Sequence, residues 1–209
     1  TGTVAGFASA DGRYLPLACT LNATVAVDRT SEWLGVDRGD VVPSNGVVFL
    51  PWLGGERTPN VPTASGSLTG LRYGTDRRAI LQAAYEGVVA TLLDAQSALD
   101  QWAPQDSSAP LLLLGGGARG SVWQETVRRL SGRPVVVVEQ AELVAYGAAV
   151  QAGALLTGSA LSDVAHAWAG RRGMLLEPVE RDEETLARIA WWRRFVLASL
   201  ETGAVPDAP

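Results

Sequence analysis

Residues 111–138 constrain the fold more than any other stretch of this chain. Four leucines, Leu111–Leu114, run into Gly115-Gly116-Gly117. Val122 to Leu130 then has helical spacing, Gly132-Arg133-Pro134 breaks it, and Val135–Val138 is a second wholly apolar run. Short runs without a polar face, bounded by Gly and Pro, are the mark of strands buried on both sides. Strand–helix alternation of this kind predicts an α/β domain with helices on both faces of a sheet.

The flanking segments extend that plan. Residues 2–9 and 14–20 are apolar runs split by Asp11-Gly12, a hairpin turn pair, so the sheet should be mixed. Residues 22–35 read as a helix with Asn22 as N-cap and Gly35 as its stop. Val47–Pro51 reads as a buried strand, and the Gly- and Pro-rich stretch after it, residues 54–62, as a loop. The clearest helix spans 76–102, capped by Asp76, with Ile80, Ala83, Ala84, Gly87, Val88, Thr91, Leu92, Ala95 and Leu99 on its buried face. Glycine inside that face weakens the helix by roughly 1 kcal/mol, so Gly87 should pack closely against another backbone. A small-residue helix is predicted over 143–152, and an amphipathic one over 182–200, with Leu186, Ile189, Trp192, Val196 and Leu200 on one side.

Composition removes several classes of function. The net charge of −5 argues against a nucleic-acid surface, which needs clustered cations. One histidine and one cysteine make a His/Cys zinc site untenable. The lone Cys19 excludes an internal disulfide and points to a cytoplasmic setting. No apolar run reaches the ~18 residues of a membrane span, and no basic-then-apolar leader is present. The first residues, Thr1-Gly2-Thr3, read as a turn between two strands, as though the chain opened mid-protein.

The glycine cluster carries the chemistry. Three glycines between a strand and a helix leave no side chains above the turn, so a phosphate or flat ligand can approach backbone N–H groups there. Gly115, Gly117 and Gly120 also fit G-x-G-x-x-G, with Glu139 at the end of the next strand, which imitates a dinucleotide-binding unit and would make the chain an NAD-binding oxidoreductase module. Gly2-Thr3 offers a second anion-binding turn, with a Thr hydroxyl suited to a terminal phosphate.

Taken in order, the segments resemble the FGGY family of carbohydrate kinases, and within it the xylulose-phosphorylating branch. The carriers are Val48 to Pro59, Gly66 to Leu71 followed by Ala83-Ala84-Tyr85-Glu86-Gly87, Leu112 to Arg119 with Trp123, Gly132-Arg133-Pro134, and Tyr146-Gly147-Ala148-Ala149. The resemblance implies an actin-like, ribonuclease-H-like ATPase domain, a mixed sheet flanked by helices, spanning residues 1–209 as the nucleotide-binding half of a two-domain kinase. It implies ATP with Mg²⁺, the magnesium held mainly by the other domain. Gly2 and Thr3 match the phosphate hairpin, and Gly115, Gly116, Gly117, Ala118 and Ser121 match the adenosine turn. Asp28 and Glu32 fall on a helix that lines the nucleotide. The catalytic Asp would lie upstream, so this half alone should be inactive.

Glu56 and Arg57 either face the acceptor and the other domain or form a surface ion pair. Sugar would bind only with the N-terminal domain. A non-catalytic actin-like binding module is a further reading. His166 should be structural or solvent-facing, Cys19 a buried hydrophobe, and Trp191 and Trp192 core or interface. An exposed apolar face would favour a homodimer.

Overall fold

A computed structural model of the chain describes residues 3–102, 106, 108–139, 142–168 and 173–201. The hairpin forms as expected. Strands β1 (Val4–Ala8) and β2 (Tyr14–Ala18) pair antiparallel, Val4 opposite Ala18 and Ala8 opposite Tyr14, around the Asp11-Gly12 turn. It stays a separate two-stranded sheet. A second such sheet pairs β3 (Val48–Leu50) antiparallel with β4 (Ser67–Thr69). The third sheet is mixed. β5 (Leu111–Leu113) runs parallel to β6 (Val135–Val137), and β7 (Met174–Leu176) is antiparallel to β6 on its other side. The mixture expected from the hairpin therefore comes from β7.

Helices α1 (Thr24–Leu34), α2 (Arg77–Asp100), α3 (Ser121–Ser131), α4 (Leu143–Thr157), α5 (Leu161–Ala167) and α6 (Glu183–Glu201) complete the described elements. The interior is organised by α2, which packs on β3, α1, α3 and α6. The Asp76 side chain caps it, accepting from the Arg78 N–H at 2.8 Å. The Arg78 guanidinium also grips that carboxylate and holds its pKa below the ordinary value. Leu81, Tyr85, Val88 and Val89 meet Ala26 and Val27 of α1, Trp123, Val127 and Leu130 of α3, and Val135 and Val137 of β6. A Cβ on Gly87 would sit 1.9 Å from the Phe49 carbonyl oxygen, so no larger residue lets α2 lie this close to β3.

α6 uses the expected face. Ile189 is buried with Leu186, Trp192, Val196 and Leu200 packed around it against β3 residues and Trp52. Trp192 Nε1 donates to Ser67 Oγ at 3.0 Å, while Trp191 is exposed.

Three local expectations need correction. Leu111–Leu114 is not buried throughout: Leu112 is 61% exposed and Leu114 56%. Among the described residues β5 pairs with β6 along one edge only, and one of its faces is open. Asn22 does not cap α1, whose N-cap is Ala23 with no side-chain bond. Cys19 is half-buried just past β2. Among the described residues no single helix is long and apolar enough to cross a membrane.

Candidate functional site

β5 ends at the glycine turn. Gly115 has φ +91°, a left-handed conformation that favours glycine, Gly116 is right-handed, and Gly117–Arg119 form one 3₁₀ turn before α3. Gly115 and Gly116 are exposed, and a Cβ on either would meet nothing within 4 Å. The absent side chains leave the backbone open to an incoming group. α3 begins at Ser121 with no side-chain cap and no acid in its first turn, so its first N–H groups and the positive end of its dipole are free for an anion. Beneath the turn Ala118 is buried, and its carbonyl accepts from Gln124 Nε2 at 2.9 Å. A glycine turn with an uncapped helix start can receive an anion or a flat group on its backbone.

α1 forms the adjoining wall. A Cβ on Gly117 would lie 2.7 Å from Thr24 Oγ1, so the first residue of α1 sits directly against the turn. Thr24, Asp28 and Glu32 are four residues apart and share one stripe of that helix. With a rise of ~1.5 Å per residue, Asp28 stands about 6 Å and Glu32 about 12 Å along the axis from Thr24. Asp28 is half-buried and Glu32 exposed, and each is already paired, Asp28 with Arg38 at 2.7 Å and Glu32 with Arg29 at 2.8 Å. Tyr85 fixes the same region from below. Its hydroxyl donates to the Arg38 carbonyl at 3.0 Å, its ring meets Trp123 edge-on, and burial raises its pKa.

On its other side Ser121 lines a cleft of about 800 Å³, bounded by residues 41–46, α2, α3 and the start of α6. The floor is ionic. Arg129 Nη2 donates to the buried Glu86 carboxylate at 2.6 Å, and Nη1 reaches Asp182. Gln82 Nε2 adds bonds of 3.3 Å to Glu86 and to Thr126. Asp182 in turn accepts the Thr185 N–H at 2.9 Å and so caps α6. Burial alone would raise the Asp182 pKa, but Thr185 and Arg129 together hold it below the ordinary value. Sequence reading missed this triad. Its one signal is a glutamate set between the buried positions Ala83 and Gly87.

The loop after β3 holds the largest departure. Glu56 is 1% exposed and forms no surface ion pair. Oε1 accepts the N–H of Leu21 at 2.6 Å and of Arg57 at 2.8 Å. Oε2 accepts the Asn22 N–H at 3.3 Å and its Nδ2 at 3.1 Å. Asn22 completes the lock, donating to the Gly55 carbonyl at 2.6 Å and accepting the Leu53 N–H at 3.1 Å. Arg57, beside it, is exposed. Thr3 is half-buried just before β1, Gly2 lies outside the described residues, and His166 is exposed on α5. Among the described residues no group of three His, Cys, Asp or Glu side chains could hold a metal ion.

Residues 18–156 match the C-terminal domain of the FGGY family of carbohydrate kinases. The xylulose kinase of Streptomyces rubiginosus is 61% identical over 91% of this chain, and that of Streptomyces coelicolor 60% identical over 90%. The chain spans 39% of the length of each. The crystal structure of xylulose kinase from Bifidobacterium adolescentis superposes with a TM-score of 0.77 at 31% identity, over 92% of this chain and 39% of that one. The fold is that of the actin-like sugar kinases, and the G-x-G-x-x-G stretch at residues 115–120 lies inside the matched FGGY domain. The chain belongs to the FGGY family of carbohydrate kinases, with the match falling on the family's C-terminal domain.

Proposed function

We propose that this chain is the ATP-binding half of a cytoplasmic kinase that transfers the γ-phosphate of ATP to a hydroxyl of D-xylulose or a similar ketose or polyol. The observation that carries the reading is the open turn at Gly115–Gly117, set between the α1 stripe and the uncapped start of α3. In this reading the backbone at 115–117, Ala118 and Ser121 receive the adenosine. Asp28 and Glu32 line the wall beside it, and Gly2 and Thr3 receive the phosphate end. Exposed Arg57 faces the acceptor side. ATP supplies the phosphoryl group, and its Mg²⁺ is held mainly by the sugar-binding half. Because phosphoryl transfer rests on positioning and charge stabilisation from both sides of the cleft, this half alone is inactive. High identity to xylulose kinases over nine-tenths of the chain supports the sugar class.

Calorimetric titration with Mg-ADP tests the reading. Half a cleft gives weak binding, on the order of 1 mM. Gly117→Val places its Cβ against Thr24 and should abolish it. Tighter binding of NAD⁺ than of Mg-ADP, or full binding by the variant, would overturn the assignment.

A further inference from the structure

Glu56 sits in a kinase-motif loop yet turns wholly inward, and its partners explain what that does. Its carboxylate collects the N–H groups of Leu21 and Asn22, the two residues that lead into α1. Asn22 ties the same point to Gly55 and Leu53. Thr24, two residues on, is the side chain that abuts Gly117 of the glycine turn. The body of α1 is held separately, by Ala26 and Val27 in the core. Of α1, Glu56 holds the lead-in, at Leu21 and Asn22.

We infer that Glu56, through Asn22 and Thr24, is a positioning residue for the glycine turn, fixing the wall against which the nucleotide seats. The inference rests on the nucleotide reading above for its functional meaning, but the mechanical link from Glu56 to Gly117 stands on these contacts alone. A carboxylate suits the task because it accepts four N–H donors at once. Glutamine keeps one acceptor oxygen and turns an NH₂ toward those donors.

The test compares the 209-residue chain with Glu56→Gln and with Ile189→Ala, which weakens the distant α6 cluster. Hydrogen exchange is followed peptide by peptide below the melting transition, alongside Mg-ADP titration. Glu56→Gln should speed exchange at Arg119 and Gly120, the hydrogen-bonded amides of the 115–121 turn, by tenfold or more while the α2 amides keep their rates, and should weaken Mg-ADP at least fivefold. Ile189→Ala should do neither. Unchanged exchange at 115–121 in Glu56→Gln, or the same change in Ile189→Ala, overturns the inference. If the parent chain binds no Mg-ADP, the nucleotide reading fails and the exchange result still decides the link. Should Glu56→Gln not fold, Thr24→Ala removes the contact from the far end and must accelerate the same turn; normal rates there reject the proposal.

Discussion

Two carboxylates are buried almost equally, Glu56 at 1% exposure and Glu86 at 3%, and the chain neutralises them by different means. Glu56 is held by N–H dipoles, three from backbone and one from Asn22. Glu86 is met by a cation, Arg129, whose planar fork bridges it to Asp182. The first arrangement is built into the path of the chain, and no loss of a single partner side chain dismantles it. The second depends on one guanidinium. The lesson is that a buried carboxylate can be held by the backbone or by a pair, and only in the pair does the loss of one partner side chain strand it.

The comparison is broken most forcefully at Arg129. Arg129→Met removes the counter-charge and strands Glu86, which should cost about 3 kcal/mol in a denaturant melt. Adding Glu86→Gln should recover much of that loss, because no unpaired charge then remains. A loss below ~1 kcal/mol would mean that Glu86 is reached by water. Asn22→Ala is the parallel experiment at Glu56. It removes bonds to Gly55, Leu53 and the carboxylate but leaves the backbone donors in place, and should cost about 2 kcal/mol.

Asp182→Asn should have the smallest effect, about 1 kcal/mol, the scale of a helix cap. Its sign with pH sharpens the contrast. The folded Asp182 pKa is depressed, so its contribution is complete above the ordinary carboxylate value near ~4 and fades as pH falls through the lower folded value. Unfolding curves of the parent and of Asp182→Asn should therefore converge as the pH is lowered below that value.

Long, repeated patterns were legible in the sequence. The face of α6, the Asp76 cap and the Gly87 contact all follow from period and propensity over many residues. The glycine turn was legible because no side-chain argument competes with three glycines after a strand. What was not legible depends on partners far along the chain. Glu56 reads as a polar residue in a Gly/Pro loop, and its burial rests on Leu21 and Asn22, 35 and 34 positions away. Asn22 reads as a cap because it precedes a helix, yet its side chain is spent on that loop. β7 is three residues long, too short for a periodicity to declare it. The open face of β5 was misread for a related reason: four leucines announce apolarity but not how many neighbours a strand has.

The indole positions have an optical consequence. Trp123 is buried next to the glycine turn, where a Cβ on Gly120 would lie 3.5 Å from its Cδ1, and Trp52 is buried under α6. Trp33, Trp102, Trp168 and Trp191 face solvent. Iodide will extinguish emission from the exposed set first and leave a blue-shifted remainder dominated by the interior rings. That remainder is a built-in gauge of what happens at the turn. A ligand settling on Gly115–Gly117 will be read out by Trp123, with no dye attached and no residue changed.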